Sequence, residues 1–259
     1  MTLFVTERRR AILEKLKNHG RVSVKELSDE LDVSAVTIRQ DLRSLEEDGQ
    51  LERTYGGAVP RQTNRDFPPE MPFDLRNTRS RREKDAIGIA AGAIVKEGYR
   101  IALDASTTAY AIVPYLKRFA HLTIVTNNLV IAQSFPDKPE IEVFIPGGRL
   151  RKESISIVGQ PEAVPNINLN VGFFGASGIS LKGGMSDFDP NEIAMKQAMI
   201  ARCEMPVIIV DGSKWDQIAP YTVLPSEQIR YIITTDDAPA DLVDQFRQQG
   251  THVELITLD

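Results

Sequence analysis

Several short stretches of the chain carry the residue types that bind polar ligands. Leu103-Asp104-Ala105-Ser106-Thr107-Thr108 ends an apolar run and opens a helical one. Small hydroxylated residues at a helix start leave backbone N–H groups free, and the helix dipole favours an anion there. A phosphate is the natural occupant, and Asp104 at the strand end can accept hydrogen bonds from sugar hydroxyls. The same loop would also serve as a plain helix cap. Four more stretches sit at similar strand ends: Gly147-Gly148-Arg149, the run holding Gly175 and Gly178, Asp187-Phe188-Asp189 followed by Glu192 and Lys196, and Asp211-Gly212-Ser213-Lys214. The candidate ligand set is therefore Asp104, Ser106, Thr107, Thr108, Arg149, Gly175, Gly178, Asp187, Glu192, Lys196 and Lys214. Glu192 and Lys196 are also spaced as a routine i, i+4 ion pair.

A second constellation lies near the N-terminus. Ile38, Leu42 and Leu45 recur at helical spacing and predict a buried face. At 100° per residue the opposite face carries Val36, Thr37, Gln40 and Arg43, with Arg39 at its edge and Ser34 as the cap. Gln can pair bidentately with adenine and Arg with guanine, while an exposed Val or a Thr methyl can meet a thymine methyl. Arg53 and Tyr55 follow on a short hairpin, suited to backbone or minor-groove contact. Taken singly, each is also what a solvated helix would carry.

The elements that must position these residues fall into two rhythms. Up to residue 60 the pattern is helical: 7–17, a helix opened by the capping box Ser23-Val24-Lys25-Glu26, and a third from Ser34 to about Glu47. A strand, a Gly56-Gly57 turn and a returning strand follow, the order of a winged helix-turn-helix. Four prolines in 60–73 then mark a linker. Beyond it, strands near 100–103, 122–125, 142–145, 171–174, 207–210, 231–234 and 253–257 alternate with helices near 85–95, 109–116, 129–134, 192–201 and 240–248. That alternation predicts an α/β domain with a mainly parallel sheet covered on both faces, whose ligands sit at the carboxyl ends of its strands. The expected division is residues 1–60 for the DNA-binding domain, 61–74 for the linker and 75–259 for an α/β sensing and oligomerisation domain.

The 259 residues carry a net charge of −5. Residues 1–84 hold 17 basic and 15 acidic side chains and 85–259 hold 14 and 21, so the halves stand at +2 and −7. The overall charge argues against a general nucleic-acid coat protein, but the asymmetry is mild and charge alone decides nothing. No apolar run nears the roughly 18 residues of a membrane span, and no signal-peptide core follows Met1–Arg10. The single Cys203 forms no internal disulfide and fits a reducing compartment, the cytoplasm. His19, His121 and His252 lack metal-ligand spacing, so neither metal nor cofactor is expected.

The motif residues Arg9, Ile12, Gly20, Glu26-Leu27, Val33-Ser34, Thr37-Ile38-Arg39, Asp41-Leu42 and Arg53-Thr54-Tyr55-Gly56-Gly57-Ala58 strongly resemble the DeoR family of bacterial sugar-catabolism regulators. LDASTT, GGRLR, GASGIS, FDPNEIAMKQAMI and VDGSKW resemble that family's sensor domain, so the resemblance spans nearly the whole chain. It implies a ribose-5-phosphate-isomerase-like sensor fold, a phosphorylated sugar or polyol effector that releases double-stranded operator DNA, and a homodimer or homotetramer. Asp187-Phe188-Asp189 with Glu192 looks closest to the glycerol-3-phosphate-responsive branch. Two departures are Gln40, where the family usually has a second Arg, and Ser106, where its loop usually has Gly. An alternative remains: a sugar-phosphate enzyme with proton-transfer chemistry and an appended DNA-binding domain.

Overall fold

A computed structural model of the chain describes residues 5–19, 22–47, 51–54, 56–60 and 70–258. Its residues cluster into two compact units, 1–69 and 70–259. Tyr55, expected on the wing, lies outside the described residues.

In the first unit the order is α1 (Val5–His19), β1 (Val22–Ser23), α2 (Val24–Leu31), α3 (Ala35–Glu47), β2 (Leu51–Thr54) and β3 (Gly57–Pro60). Ser23 caps α2 by accepting a hydrogen bond from Glu26 N, as its capping box predicts. Ser34 Oγ does the same for Thr37 N at the start of α3. Between them Asp32 turns the chain at φ 52°, a left-handed conformation that Asp tolerates. The strand β1 was not expected. It pairs with β3, making a three-stranded sheet of order β1-β3-β2. A side chain at residue 57 would stand 2.0 Å from Val22 O, so only Gly57 admits that pairing. Ile12, Leu16, Leu27, Ile38, Leu42, Leu45 and Leu51 form the core. Each contributes roughly 1.5–3 kcal/mol by burial.

The second unit begins with α4 (Phe73–Thr78) and α5 (Arg81–Ile94). Residues 70–74, expected in the linker, belong to it: Phe73 is buried, and its N–H donates to Glu153 O. Next come β4 (Arg100–Leu103), α6 (Thr107–Tyr110), α7 (Val113–Leu116), β5 (Leu122–Thr126), α8 (Leu129–Ala132), β6 (Ile141–Phe144), β7 (Arg149–Arg151), β8 (Ser156–Val158) and β9 (Leu169–Phe174). The chain ends with β10 (Gly178–Ser180), β11 (Gly184–Asp187), α9 (Pro190–Ile200), β12 (Cys203–Ile209), β13 (Tyr221–Leu224), β14 (Tyr231–Thr235), α10 (Ala240–Gln248) and β15 (His252–Ile256). The single helix expected over 109–116 is two short ones. Pro114 has no N–H to give the carbonyl of Tyr110, which breaks the ladder there.

Seven strands form one sheet in the order β15-β14-β12-β9-β4-β5-β6, every pair parallel. Alternate residues feed two cores. Ile101, Leu103, Val171, Phe173, Val207 and Ile209 face α5, α6, α7 and α8, whereas Ala102, Phe174, Ile208 and Val210 face α9 and α10. Both faces are dry, which explains the near-continuous apolar strands. The sequence did not reveal two antiparallel additions, the β7–β8 hairpin and a sheet of order β10-β11-β13. Among the described residues no helix is long and apolar enough to cross a membrane.

Candidate functional site

In the first unit the charge at the base of α3 is a structural device. Asp41 is buried, with Arg8 Nε 2.5 Å from Oδ2 and Arg9 Nε 3.2 Å from Oδ1. This pins α1 against α3 and turns the other side of α3 to solvent. Ser34, Val36, Arg39, Gln40 and Arg43 are exposed and Thr37 half-exposed; Val36 retains 62% of its surface. The outward set read from periodicity therefore shares one solvent face. Arg53 is exposed on β2, with Nη1 3.7 Å from Glu46 Oε2, so its guanidinium stands beside the end of α3.

In the second unit the site follows from strand order. β4 and β9 are neighbours, but the chain continues from β4 to β5 and β6 on one side and from β9 to β12, β14 and β15 on the other. Their carboxyl ends flank a topological switch point, where open parallel sheets bind ligands. Asp104 follows β4 and Gly175 follows β9. Asp104 Oδ2 accepts from Gly175 N at 3.0 Å, tying the two strand ends together, and Oδ1 accepts from Ser106 N at 3.0 Å. A Cβ on residue 175 would lie 2.5 Å from the Ser106 side chain, so a glycine is required. Ser106 needs no glycine-like backbone: at φ −80° it caps α6 by accepting from Ala109 N.

Lys196 enters from α9. That helix starts firmly, with Asp189 accepting from Asn191 N and Glu192 N and Pro190 in its first turn. Lys196 Nζ donates to Gly175 O at 2.6 Å and Asp187 Oδ2 at 2.7 Å, and stands 2.9 Å from Asp104 Oδ2. Burial alone would lower its pKa, but the charges of Asp104 and Asp187 outweigh it and hold the ammonium well above its usual range. For Asp187 burial works upward, and Lys196, Ser177 and the Phe188 N–H pull its carboxyl below the usual value. Glu192 does not pair with Lys196 despite its spacing. Ser154 and Ser156 donate to Glu192 Oε1, and Arg151 Nη1 lies 3.5 Å from it. Burial raises the Glu192 pKa, a shift that Arg151 and the two serines only partly offset. Between those serines Ile155 sits at φ 51°, a left-handed conformation that a β-branched residue avoids. The kink aims both hydroxyls at one carboxylate.

Asp104, Ala105, Ser106, Asp187, Glu192 and Lys196 line one pocket with Arg76 and Asn127. Its free volume is about 20 Å³, room for about one water, so a ligand the size of a sugar phosphate enters only if side chains move. Sequence reasoning missed Arg76, Asn127 and Arg151. Asn127 obeys the strand-end rule, following β5, and Arg76 opens the basic stretch that leads into α5. Other expected residues are elsewhere. Thr107 and Thr108 are buried in the first turn of α6, and Arg149 is exposed at the far end of the β7–β8 hairpin, opposite Val158. Gly178 serves packing, since a Cβ there would lie 2.3 Å from Gln217 O. Lys214 is half-buried and outside the pocket lining; its charge bears instead on Lys84. Burial pushes the Lys84 ammonium down to about 8, Asp211 opposes this, and Lys214, Arg76 and Arg79 add to it. Among the described residues no group of three or more His, Cys, Asp or Glu side chains could hold a metal ion.

Comparison with known proteins places both units. Residues 8–63 match the model of the DeoR-like helix-turn-helix domain and residues 79–236 that of the DeoR C terminal sensor domain. The HTH-type transcriptional regulator GolR of Listeria innocua is 33% identical over 255 residues, covering 98% of this chain and 99% of that protein. The glycerol-3-phosphate regulon repressor of Escherichia coli is 28% identical over 252 residues, covering 96% and 98%. Among solved structures, ribose 5-phosphate isomerase A of Methanocaldococcus jannaschii covers 51% of this chain and 53% of that one. At 14% identity and a TM-score of 0.37 that overlap is too loose to carry an argument.

Proposed function

The chain belongs to the DeoR family of transcriptional regulators, and from that premise we propose a repressor of a sugar or polyol catabolic operon, released from its operator by a phosphorylated sugar or polyol. One observation carries the reading. The chain that presents an exposed α3 face also holds, at the switch point of its sheet, a pocket of buried charged groups that no core needs for packing. Gln40, Arg43, Arg39 and Val36 read base edges, and Arg53 with Tyr55 contacts the backbone. Asp104, Ser106, Gly175, Asp187, Glu192 and Lys196 form the sensing pocket.

We read the second unit as isomerase-like in fold but a sensor rather than an enzyme. Lys196, held charged, and Asp187, held ionised, are poor proton-transfer groups at neutral pH, and Glu192, whose pKa burial raises, is tied up by Ser154, Ser156 and Arg151. The protein works in the cytoplasm as a homodimer or homotetramer joined through residues 75–259, because one reading helix spans only a few base pairs and paired half-sites supply specificity. The Escherichia coli relative named for the glycerol-3-phosphate regulon makes glycerol 3-phosphate the first effector to try.

The test is calorimetric titration with sugar and polyol phosphates and with their dephosphorylated parents, alongside gel-shift assays on the operator. A phosphorylated ligand binds tightly, its parent weakly, and binding releases DNA. Equal affinity for both, or binding with no change in DNA affinity, refutes the reading.

A further inference from the structure

Recognising an anion in this pocket takes a cation with donors to spare, and most of the cations at hand are committed. Lys196 gives its ammonium to Gly175 O, Asp187 and Asp104. Arg151, behind the pocket, is held by Glu70, Asp189, Glu192 and Ser154. Arg76 differs. It lines the pocket, yet its Nε and Nη2 are buried and make no hydrogen bond. Nη2 lies 3.2 Å from Glu70 Oε1, close enough for an ion pair but out of line for a hydrogen bond. Leaving a buried donor unmade costs about 1–3 kcal/mol. Its backbone is meanwhile fixed, because the buried Lys84 donates to Arg76 O at 2.5 Å and to Arg79 O at 2.7 Å. In the same lining Asn127 is 2% exposed; its Nδ2 donates to Ile157 O while its Oδ1 accepts nothing.

We propose that Arg76 is the anion-binding residue of this pocket and that the Glu70 carboxylate is an internal stand-in for the effector's phosphate. Glu70 Oε1 faces Arg76, and Oε2 accepts from Arg151 Nη2 at 2.5 Å, so one carboxylate is shared between two guanidinium groups. The carboxylate thus fills a place between two guanidinium groups, the side chains best suited to binding phosphate. An entering phosphate takes Nε and Nη2 of Arg76 and displaces Glu70, while Asn127 Oδ1 accepts a hydroxyl of the carbon skeleton. Displacement has a consequence beyond the pocket. Glu70 directly follows residues 61–69, which lead from the DNA-binding unit, so the anion that fills the pocket also frees the sensor's first residue. This inference rests on the phosphorylated-effector reading and adds the residue that recognises the phosphate and the contact it breaks.

The test titrates the full chain with inorganic phosphate, glycerol 3-phosphate and neutral glycerol, with chloride holding ionic strength constant. Glu70→Gln binds both phosphate probes about fivefold more tightly, the worth of a partly exposed ion pair no longer in competition, and binds glycerol as before. Arg76→Met weakens both phosphate probes about tenfold or more, and Arg76→Lys falls between it and the wild type. Circular dichroism checks folding. If Glu70→Gln does not fold, Glu70→Asp, which keeps the charge but withdraws it by one methylene, must show the tightening instead. Unchanged or weaker phosphate binding in a folded Glu70 variant, or wild-type affinity in Arg76→Met, overturns the proposal. The phosphorylated-effector reading would survive that result if the wild type still prefers glycerol 3-phosphate to glycerol. If no variant binds either phosphate probe, both fall.

Discussion

Replacing Lys196 with methionine keeps the aliphatic stem and removes one buried positive charge. In the wild type that charge serves Asp104 at 2.9 Å, Asp187 at 2.7 Å and the Gly175 carbonyl at 2.6 Å, and the residue is 6% exposed. Without it, two carboxylates and a carbonyl lose the ammonium that all three share. Removing one partner of a buried pair costs about 3–5 kcal/mol. For a unit of this size that lowers Tm by roughly 6–20 °C, at about 2–4 °C per kcal/mol. The sign with pH follows from the carboxylates. In the wild type Asp187 is held below its usual 3.8, so its contribution is full above that value and is lost as pH falls through the depressed one. In the variant two unpaired carboxylates push one pKa up, giving a penalty that is full above the raised value and shrinks as pH falls. The deficit is therefore largest near pH 7–8 and smaller at pH 5. The single tryptophan makes a clean probe, since Trp215 is buried in this unit, packs edge-on against Phe246 and donates to Thr234 Oγ1. Urea unfolding followed by its fluorescence reports the sensor alone. A deficit under about 1 kcal/mol at pH 7, or one that does not shrink at pH 5, would show that the ion-pair argument is wrong.

Three further outcomes are expected. Gln40→Ala changes the preferred base at one operator position at a cost of about 1–3 kcal/mol, whereas Arg53→Ala weakens all sequences alike and flattens the salt dependence; binding-site selection that returns an unchanged motif for the Gln40 variant rules out direct readout. Asp41→Ala removes the buried carboxylate that faces both Arg8 and Arg9 and destabilises the DNA-binding unit by about 3–5 kcal/mol, seen as loss of helical circular dichroism at lower temperature, so a variant that melts like the wild type contradicts the pinning of α1 to α3. Ile155→Gly removes a left-handed β-branched residue worth about 1–3 kcal/mol of strain, which offsets the packing it loses, so the variant unfolds in urea close to the wild type; a loss above about 3 kcal/mol would mean the turn stores no strain.

Local chemistry determined what the sequence could show by itself. The exposed face of α3 was legible because helix period alone sorts Ile38, Leu42 and Leu45 from Val36, Gln40 and Arg43, and the caps at Ser23 and Ser34 depend only on residues three positions away. The strand-end rule likewise picked out Asp104, Ser106, Asp187, Glu192 and Lys196, because polar residues after β-branched runs have few other places to go. Only the tertiary structure decided which of those ends meet. Strand order puts β4 beside β9 and places Asp104 against Gly175, while Lys214, at the end of β12, falls outside the pocket although its motif looked as persuasive. Glu192 and Lys196 share a helix face at ion-pair spacing, yet each finds a stronger partner from a distant segment, since Arg151 and Asp104 arrive through hairpin and strand pairings that no local pattern encodes. Arg76, Asn127 and Glu70 were hidden for the same reason: a lone Arg, Asn or Glu has no period, and its role exists only once the fold has buried it and decided which neighbours it is given.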